Sequence, residues 1–144
     1  MSIADPAAGA RSAGGAVRLL LDTHAFVWLA TGDDRVGEDV RDLVLDPRND
    51  LVLSVASIWE LAIKSSLGKV RLQIPLASFV DGQVEALGAS VLEVRRAHAL
   101  VVERLPFHHR DPFDRLLVAQ AIHEGLVILS GDGVFDRYPS QRLW

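Results

Sequence analysis

The sequence predicts an α/β fold in which a mostly parallel central sheet is covered by helices on both faces. Short apolar runs with the length of buried strands alternate along the chain with longer segments that carry helix caps and helical periodicity. Strands that alternate with helices form right-handed crossovers, and these place helices on both sides of the sheet. No repeat or internal linker interrupts the pattern, so the 144 residues predict one domain behind a short N-terminal tail.

Four apolar runs predict buried strands, and the C-terminal QRLW predicts a weak edge strand. The four runs are residues 17–21, 51–55, 90–94 and 126–129. The segment KVRLQIP at residues 69–75 is also predicted to be extended, though short. A parallel sheet of this kind collects the carboxyl ends of its strands at one edge, where α/β proteins bind their ligands.

Six helices are predicted from periodicity and from the residues that begin and end helices. Asp22 is placed to cap the first helix, and Gly32 ends it. Pro112 occupies the first turn of the last helix, and Gly125 follows that helix. The predicted helices are residues 23–31, 38–45, 57–68, 76–87, 95–104 and 112–124.

The first 16 residues are rich in Ala and Gly and have no periodicity, so residues 1–16 are predicted to be a disordered tail and residues 17–144 the folded domain. The tail lacks the arrangement of a secretory signal, and no apolar run approaches the roughly 20 residues that span a bilayer. The sequence has no cysteine, which excludes disulfides, zinc–thiolate sites and thiol nucleophiles. This composition is compatible with a reducing cytoplasm, the expected location.

A net charge of −4 argues against a generally basic nucleic-acid-binding protein. It does not argue against a nuclease, because an acidic site itself contributes negative charge. A local basic rim could still attract a polyanion, although a purely surface role is the simpler explanation for any single arginine. The arginines considered for such a rim are Arg95, Arg96, Arg104, Arg110 and Arg115.

Four acidic residues stand at the ends of the predicted elements. Asp22 and Asp132 follow strands, whereas Glu60 and Asp114 lie in first helical turns that lead away from the same edge. Carboxylates brought together repel one another and take up protons unless a cation lies among them. A cluster of oxygen ligands suits Mg²⁺ or Mn²⁺, so these four residues predict a metal site and metal-assisted phosphate chemistry.

Two hydroxyl residues flank these carboxylates. Thr23 and Ser130 could orient a metal-bound water or a phosphate, and roles in a turn or a cap are equally open. The five histidines lack the spacing of metal ligands within one helix. His108 and His109 are therefore assigned to a loop, and the others to structural or supporting roles.

Each carboxylate also has a local structural explanation. Asp22 could be only an N-cap, and Asp132 only a turn residue in Ser-Gly-Asp-Gly. Asp114 is the third residue of a helix that Asp111 can cap, a position where negative charge favours the helix dipole. These explanations do not account for the occurrence of all the carboxylates at one predicted edge.

Glu60 has the strongest of these structural alternatives. Ser57 and Glu60 fit the S-x-x-E capping box, in which the glutamate bonds back to the serine amide. Lys64, four residues later, is placed to pair with Glu60 on the helix surface. Taken alone, Glu60 favours capping over metal binding.

Several segments resemble those of PIN-domain ribonucleases, in particular the VapC toxins of bacterial and archaeal toxin–antitoxin pairs. The segments are LLLDTHAFVWL, SVASIWELAIKSSLGKVRL, LPFHHRDPFDRLLVAQA and LSGDGVFDRY. The resemblance covers roughly residues 17–144, and the DPFDR-LL-AQA block is its most specific part. It implies a compact α/β/α sandwich and an endoribonuclease that depends on Mg²⁺ or Mn²⁺. The family's four acidic positions match Asp22, Glu60, Asp114 and Asp132.

The sequence departs from the family pattern at two positions beside the last carboxylate. Ser130 stands where the family often has Thr and preserves the hydroxyl, whereas Gly131 replaces a more usual small residue. The resemblance further implies an RNA substrate cut to 5′-phosphate and 3′-hydroxyl ends. It also implies a small antitoxin partner that can block the site, and a homodimer.

Two other functions are compatible with parts of the pattern. A PIN-like module that binds RNA or an antitoxin without cutting would have no physical need for clustered carboxylates. A phosphatase that uses Asp22 as a nucleophile is expected to have a second aspartate two residues later, where this chain has His24. An RNA cleavage assay distinguishes the first alternative, and trapping of a phospho-aspartate the second.

Overall fold

The computed structural model describes residues 16–144, and over this range the chain forms one five-stranded sheet. The predicted tail lies outside the described residues except for Ala16, which is buried. The strands are β1 (Arg18–Leu21), β2 (Asp50–Ser54), β3 (Ser90–Leu92), β4 (Val127–Leu129) and β5 (Arg142–Leu143). Their order across the sheet is β3-β2-β1-β4-β5, and every neighbouring pair is parallel.

Six α-helices connect the strands in the part of the chain that the structure describes. They are α1 (Thr23–Thr31), α2 (Glu38–Leu45), α3 (Val55–Ser66), α4 (Leu76–Leu87), α5 (Arg96–Glu103) and α6 (Pro112–Glu124). A short 3₁₀ helix, Gly133–Arg137, follows β4. Gly32, Gly88 and Gly125 end α1, α4 and α6 in the left-handed conformation, as the sequence predicts.

The central strand β1 separates two hydrophobic cores, one on each face of the sheet. Leu19 and Leu21 belong to one core and Leu20 to the other, because successive side chains of a strand point to opposite faces. All three residues are fully buried. The predicted α/β/α sandwich is therefore confirmed, and its sheet is parallel throughout these strands.

The strand order reverses at β1. The chain passes from β1 to β2 on one side, and β4 returns to pair with β1 on the other side. In parallel α/β sheets the ligand crevice lies outside the carboxyl ends of the strands at such a point. Here the β1–β4 pair continues one residue further, since the amide of Asp22 donates to the carbonyl of Leu129 over 3.1 Å. This bond places Asp22 at the mouth of the crevice.

Two sequence predictions about local structure are wrong. Helix α3 begins at Val55 rather than at residue 57, because the hydroxyl of Ser54 accepts from the amide of Ala56 at 3.0 Å and caps the helix earlier. The segment at residues 69–75 forms no strand within the described chain. It is largely exposed and runs between two helices, so its extended pattern has no neighbouring strand to pair with.

Between residues 16 and 144, none of the helices combines the length and the apolar character that crossing a bilayer requires.

Candidate active site

Asp22 lies directly after β1 and is only 5% exposed. Its Oδ1 accepts from the amide of Ala25 at 2.6 Å, which caps α1, and its Oδ2 accepts from the hydroxyl of Ser130 at 2.5 Å. Burial raises the pKa of this carboxyl above its ordinary value, against the lowering effect of the two hydrogen bonds, and the charge of Asp132 raises it further. The predicted cap is therefore real, and the second oxygen of the same side chain faces the end of β4.

Ser130 links the two carboxylates at the ends of β1 and β4. Its hydroxyl donates to Asp22 and accepts from the amide of Asp132 at 3.0 Å. Ser130 is fully buried, whereas Asp132 is exposed. Asp132 also caps the 3₁₀ helix, since its Oδ1 accepts from the amide of Val134 at 2.9 Å. The predicted turn role of Asp132 is thus real, and it coexists with proximity to Asp22.

The glycine that departs from the family pattern lies against the last side chain of the sequence. A Cβ atom added at Gly131 would lie 3.1 Å from the indole Nε1 and Cε2 of Trp144. Few real Cβ contacts are that short, so a larger residue at this position would displace the indole or the turn. The turn that carries Asp132 is packed closely against the indole at this position.

Glu60 is held by contacts that the capping box does not predict. Its Oε1 accepts from the hydroxyl of Thr23 at 2.5 Å, and its Oε2 lies 2.9 Å from Nζ of Lys64. The carboxylate is buried. Because Ser54 caps α3, Ser57 lies inside the helix, and its hydroxyl has no hydrogen-bond partner within residues 16–144. The capping-box interpretation of Glu60 is wrong, whereas its pairing with Lys64 is confirmed.

Asp114 lies in the first turn of α6, a helix that Asp111 caps. Oδ1 of Asp111 accepts from the amides of Phe113 and Asp114 at 2.8 and 3.1 Å. Burial and the charges of Asp111 and Glu60 raise the pKa of Asp114 to about 7, and the hydrogen bond from His109 opposes them. A carboxyl group whose pKa is raised by burial and by neighbouring negative charges favours a cation beside it.

The four predicted carboxylates form a row along the carboxyl edge of the sheet. At one end the charge of Asp132 raises the pKa of Asp22, and Thr23 joins Asp22 to Glu60 through the backbone and its hydroxyl. At the other end the charge of Glu60 raises the pKa of Asp114. Within residues 16–144, no three of these four offer oxygens that all lie within 4.8 Å of one another. The structure therefore brings the predicted residues to one edge as a row. The row's oxygen atoms, and the raised pKa of Asp22 and Asp114, fit a hard divalent cation.

One histidine of this site was missed by the sequence interpretation. Nε2 of His109 lies 2.9 Å from Oδ2 of Asp114, and the two side chains are 31% and 20% exposed. His109 precedes α6 in a loop, so no helical ligand spacing identifies it. Its position five residues before Asp114 is the one local signal in the sequence.

Arg115 does not contribute to a basic rim. It is buried, and its guanidinium donates to the carbonyls of Pro106 and Val102 at 2.9 and 3.1 Å. A further contact reaches the hydroxyl of Tyr138 at 3.4 Å. Arg115 therefore holds the loop before α6 against the body of the domain, and this loop carries His109.

The fold and the acidic row define a class of α/β sandwich proteins with a carboxylate site at the carboxyl edge of a parallel sheet. Within that class the chain belongs to the PIN-domain family, whose family model matches residues 19–141. A curated relative, Ribonuclease VapC16 of Mycobacterium tuberculosis, is 45% identical over 65 residues, which span 45% of each chain. The match thus extends over less than half of that relative's length.

Solved structures share the fold at low sequence identity. VapBC2 from Rickettsia felis, solved bound to a DNA fragment from their promoter, superposes with a TM-score of 0.67 at 14% identity, over 88% of this chain and 98% of that chain. VapBC-1 from nontypeable Haemophilus influenzae superposes with a TM-score of 0.62 at 18% identity, over 88% of this chain and 97% of that chain. FitAcB from Neisseria gonorrhoeae superposes with a TM-score of 0.60 at 18% identity, over 88% of this chain and 96% of that chain. The predicted resemblance to VapC-type PIN domains is confirmed.

Proposed function

We propose that this protein is a metal-dependent endoribonuclease and the toxin of a VapBC-type toxin–antitoxin pair. The observation that carries the proposal is the row of four carboxylates at the point where the strand order of the sheet reverses, with Thr23 and Ser130 bonded to two of them. An inert scaffold gains nothing from buried carboxylates that repel one another. The PIN family and the relative named a ribonuclease support the same activity.

The proposed roles follow from the contacts of each side chain. Asp22, Asp114 and Asp132 would hold one or two Mg²⁺ or Mn²⁺ ions, directly or through water. Such an ion lowers the pKa of a bound water and neutralises charge on the phosphate and the leaving oxygen. The hydrogen bond from Ser130 holds the Asp22 carboxylate in one orientation.

Glu60 is proposed to act as a ligand or as the base for the attacking water. Its Oε1 already accepts a hydrogen bond from Thr23, and its Oε2 forms an ion pair with Lys64. Each carboxylate oxygen keeps a second lone pair, which is available to a water molecule. Thr23 and Lys64 therefore hold this carboxylate in one orientation near Asp114, in which it would bind and activate the attacking water.

A protein partner is supported by an apolar row on α3. Trp59 and Ile63 lie on one face of the helix, Leu67 follows as its C-cap residue, and the three are spaced four residues apart and are 59%, 36% and 63% exposed. Exposed apolar residues in contiguous patches are typical of protein interfaces. We infer that this row contacts the antitoxin or a second copy of the chain, and that the protein acts in the cytoplasm as a homodimer.

The experiment that tests the function is cleavage of total cellular RNA by the purified chain with Mg²⁺ or Mn²⁺, with and without EDTA. Asp114→Asn and Asp22→Asn should abolish cleavage and keep the fold. Asp46→Asn, which changes a half-buried aspartate paired with Arg48 outside the acidic row, should cut like the wild type. The product ends should be 5′-phosphate and 3′-hydroxyl. A well-folded wild type that cuts no RNA would favour the nuclease-silent module, and a trapped phospho-aspartate at Asp22 would favour the phosphatase.

A further inference from the structure

A second group of ligand atoms lies at the start of α6, beside the acidic row. One nitrogen of His109 and one oxygen from each of Asp111 and Asp114 all lie within 4.8 Å of one another. The separation of 2.9 Å between Nε2 of His109 and Oδ2 of Asp114 matches that of neighbouring ligands of an octahedral ion, which lie about 3 Å apart when each bond is about 2.1 Å. Small side-chain rotations would bring the third oxygen to the same centre.

Each of the three side chains either has a ligand atom without a hydrogen bond or can release one from its present hydrogen bond. Oδ1 of Asp111 is occupied by the amides that it caps, whereas no hydrogen bond to its Oδ2 occurs within residues 16–144. Nδ1 of His109 likewise bonds to no atom of the described chain. The ring can therefore carry its proton on Nδ1 and present the lone pair of Nε2 to a metal ion.

In a similar group of ligand atoms elsewhere in the fold, one histidine has no lone pair that is available to a metal ion. His98, His123 and Glu124 also offer ligand atoms within 4.8 Å of one another. Nδ1 of His98, however, accepts from the amide of Arg95 at 3.0 Å, so the proton of the neutral ring is on Nε2. Nε2 then has no lone pair for a metal and donates to Oε1 of Glu124 at 3.3 Å. His98 joins α5 to α6 and binds no ion.

We propose that His109, with Asp111 and Asp114, forms a second divalent-metal position that shares Asp114 with the acidic row and selects first-row transition ions over Mg²⁺. The all-oxygen row suits Mg²⁺, whereas an imidazole ligand favours Co²⁺, Ni²⁺ and, more weakly, Mn²⁺. Asp114 would bridge the two positions. The inference rests on the proposed function only for the presence of a divalent ion beside Asp114.

The test measures metal binding in the absence of RNA. Calorimetric titrations of the full, tag-free chain with CoCl₂, MnCl₂ and MgCl₂ compare the wild type with His109→Gln and with the control His108→Gln. His108 is the neighbouring loop residue, and its ring packs on Tyr138 rather than on a carboxylate. His109→Gln should weaken Co²⁺ binding by about tenfold or more and change Mg²⁺ binding by less than about twofold. His108→Gln should bind every ion like the wild type.

A spectroscopic measurement on the wild type makes the test independent of any variant. Titration with ZnCl₂ should shift the ¹⁵N resonance of Nε2 of His109 and leave both nitrogens of His98 unchanged. Unchanged Co²⁺ affinity in folded His109→Gln, or an unshifted Nε2, would overturn the proposal. A chain that binds Co²⁺ through His109 but cuts no RNA would refute the proposed nuclease and keep this inference. RNA cleavage by the wild type, together with unchanged metal affinities in His109→Gln, would keep the proposed nuclease and refute this inference.

Discussion

The hydroxyl of Ser130 donates to Oδ2 of Asp22 over 2.5 Å, joining two residues that lie 108 positions apart in the sequence. The same hydroxyl accepts from the amide of Asp132. One buried serine therefore sets the positions of two of the four carboxylates. This bond exists because β1 and β4 are neighbours in the sheet and end at the same edge.

Ser130→Ala is expected to lower the free energy of unfolding by about 1–3 kcal/mol, because the buried Asp22 carboxylate loses a donor and the amide of Asp132 loses an acceptor. The pKa of Asp22 should rise further, since the lost bond lowers it. Urea unfolding measures the stability change. Ser130→Thr keeps the hydroxyl and should stay close to the wild type, as should the exposed control Ser66→Ala. A stable Ser130→Ala protein would show that the bond contributes little.

Thr23→Val is expected to have a similar cost, about 1–3 kcal/mol, because it leaves Oε1 of Glu60 buried without its donor. The substitution keeps the volume and shape of the side chain, so packing is preserved. Thr23→Ser should retain most of the stability. Thr31→Val, at an exposed hydroxyl of the same helix, is the matched control and should change the unfolding free energy by less than about 0.5 kcal/mol. Equal stability of Thr23→Val and Thr31→Val would contradict this prediction.

The metal-free protein is expected to lose stability as the pH rises towards 7. The pKa of Asp114 is raised from 3.8 to about 7, so the folded protein holds a proton that the unfolded chain releases. The stability that this proton contributes is complete below about pH 3.8 and is lost as the pH rises through about 7. Thermal unfolding in EDTA between about pH 5 and 8 measures the slope.

Asp114→Asn should flatten that slope and be more stable than the wild type above about pH 7 in EDTA, because the variant has no carboxylate to ionise. The raised pKa of Asp22 acts in the same direction, so part of the slope should persist. Adding Mg²⁺ to the wild type should stabilise it more at high pH, since the ion binds the deprotonated carboxylates. Identical slopes for Asp114→Asn and the wild type would mean that Asp114 ionises normally.

Arg115→Lys is expected to loosen the loop that carries His109. The lysine cannot reach both carbonyls, of Val102 and Pro106, that the planar guanidinium bridges. The free energy of unfolding should fall by about 1–3 kcal/mol. Amide exchange at residues 105–110 should accelerate before that of α6. Arg48→Lys, at an exposed ion pair, is the control, and equal effects at both positions would remove Arg115 from this role.

The local structure of this protein was predictable wherever neighbouring residues decide it. The helix α1 begins after Asp22 and ends before Gly32 because cap bonds span three to five residues. The largely buried strand β1 and the fully buried strand β4 follow from short apolar runs. The predicted start of α3 was wrong because two nearby residues could each cap the helix. Ser54 and Ser57 are both plausible caps for α3, and the choice depends on where β2 stops pairing with β1.

By itself, the sequence determined the α/β class, most element bounds and the four acidic positions, because these follow from periodicity, caps and residue chemistry. Only the tertiary structure decided how those positions interact. Glu60 turns to Thr23 across 37 residues, Asp22 to Ser130 across 108, and Asp114 meets His109, while Arg115 is drawn inward to bind carbonyls. The partners of Glu60 and Asp22 are distant in sequence, whereas the partner of Asp114 and the carbonyls that Arg115 binds lie within 13 residues. Packing of helices on the sheet brings them together, and neighbouring residues carry no record of that packing.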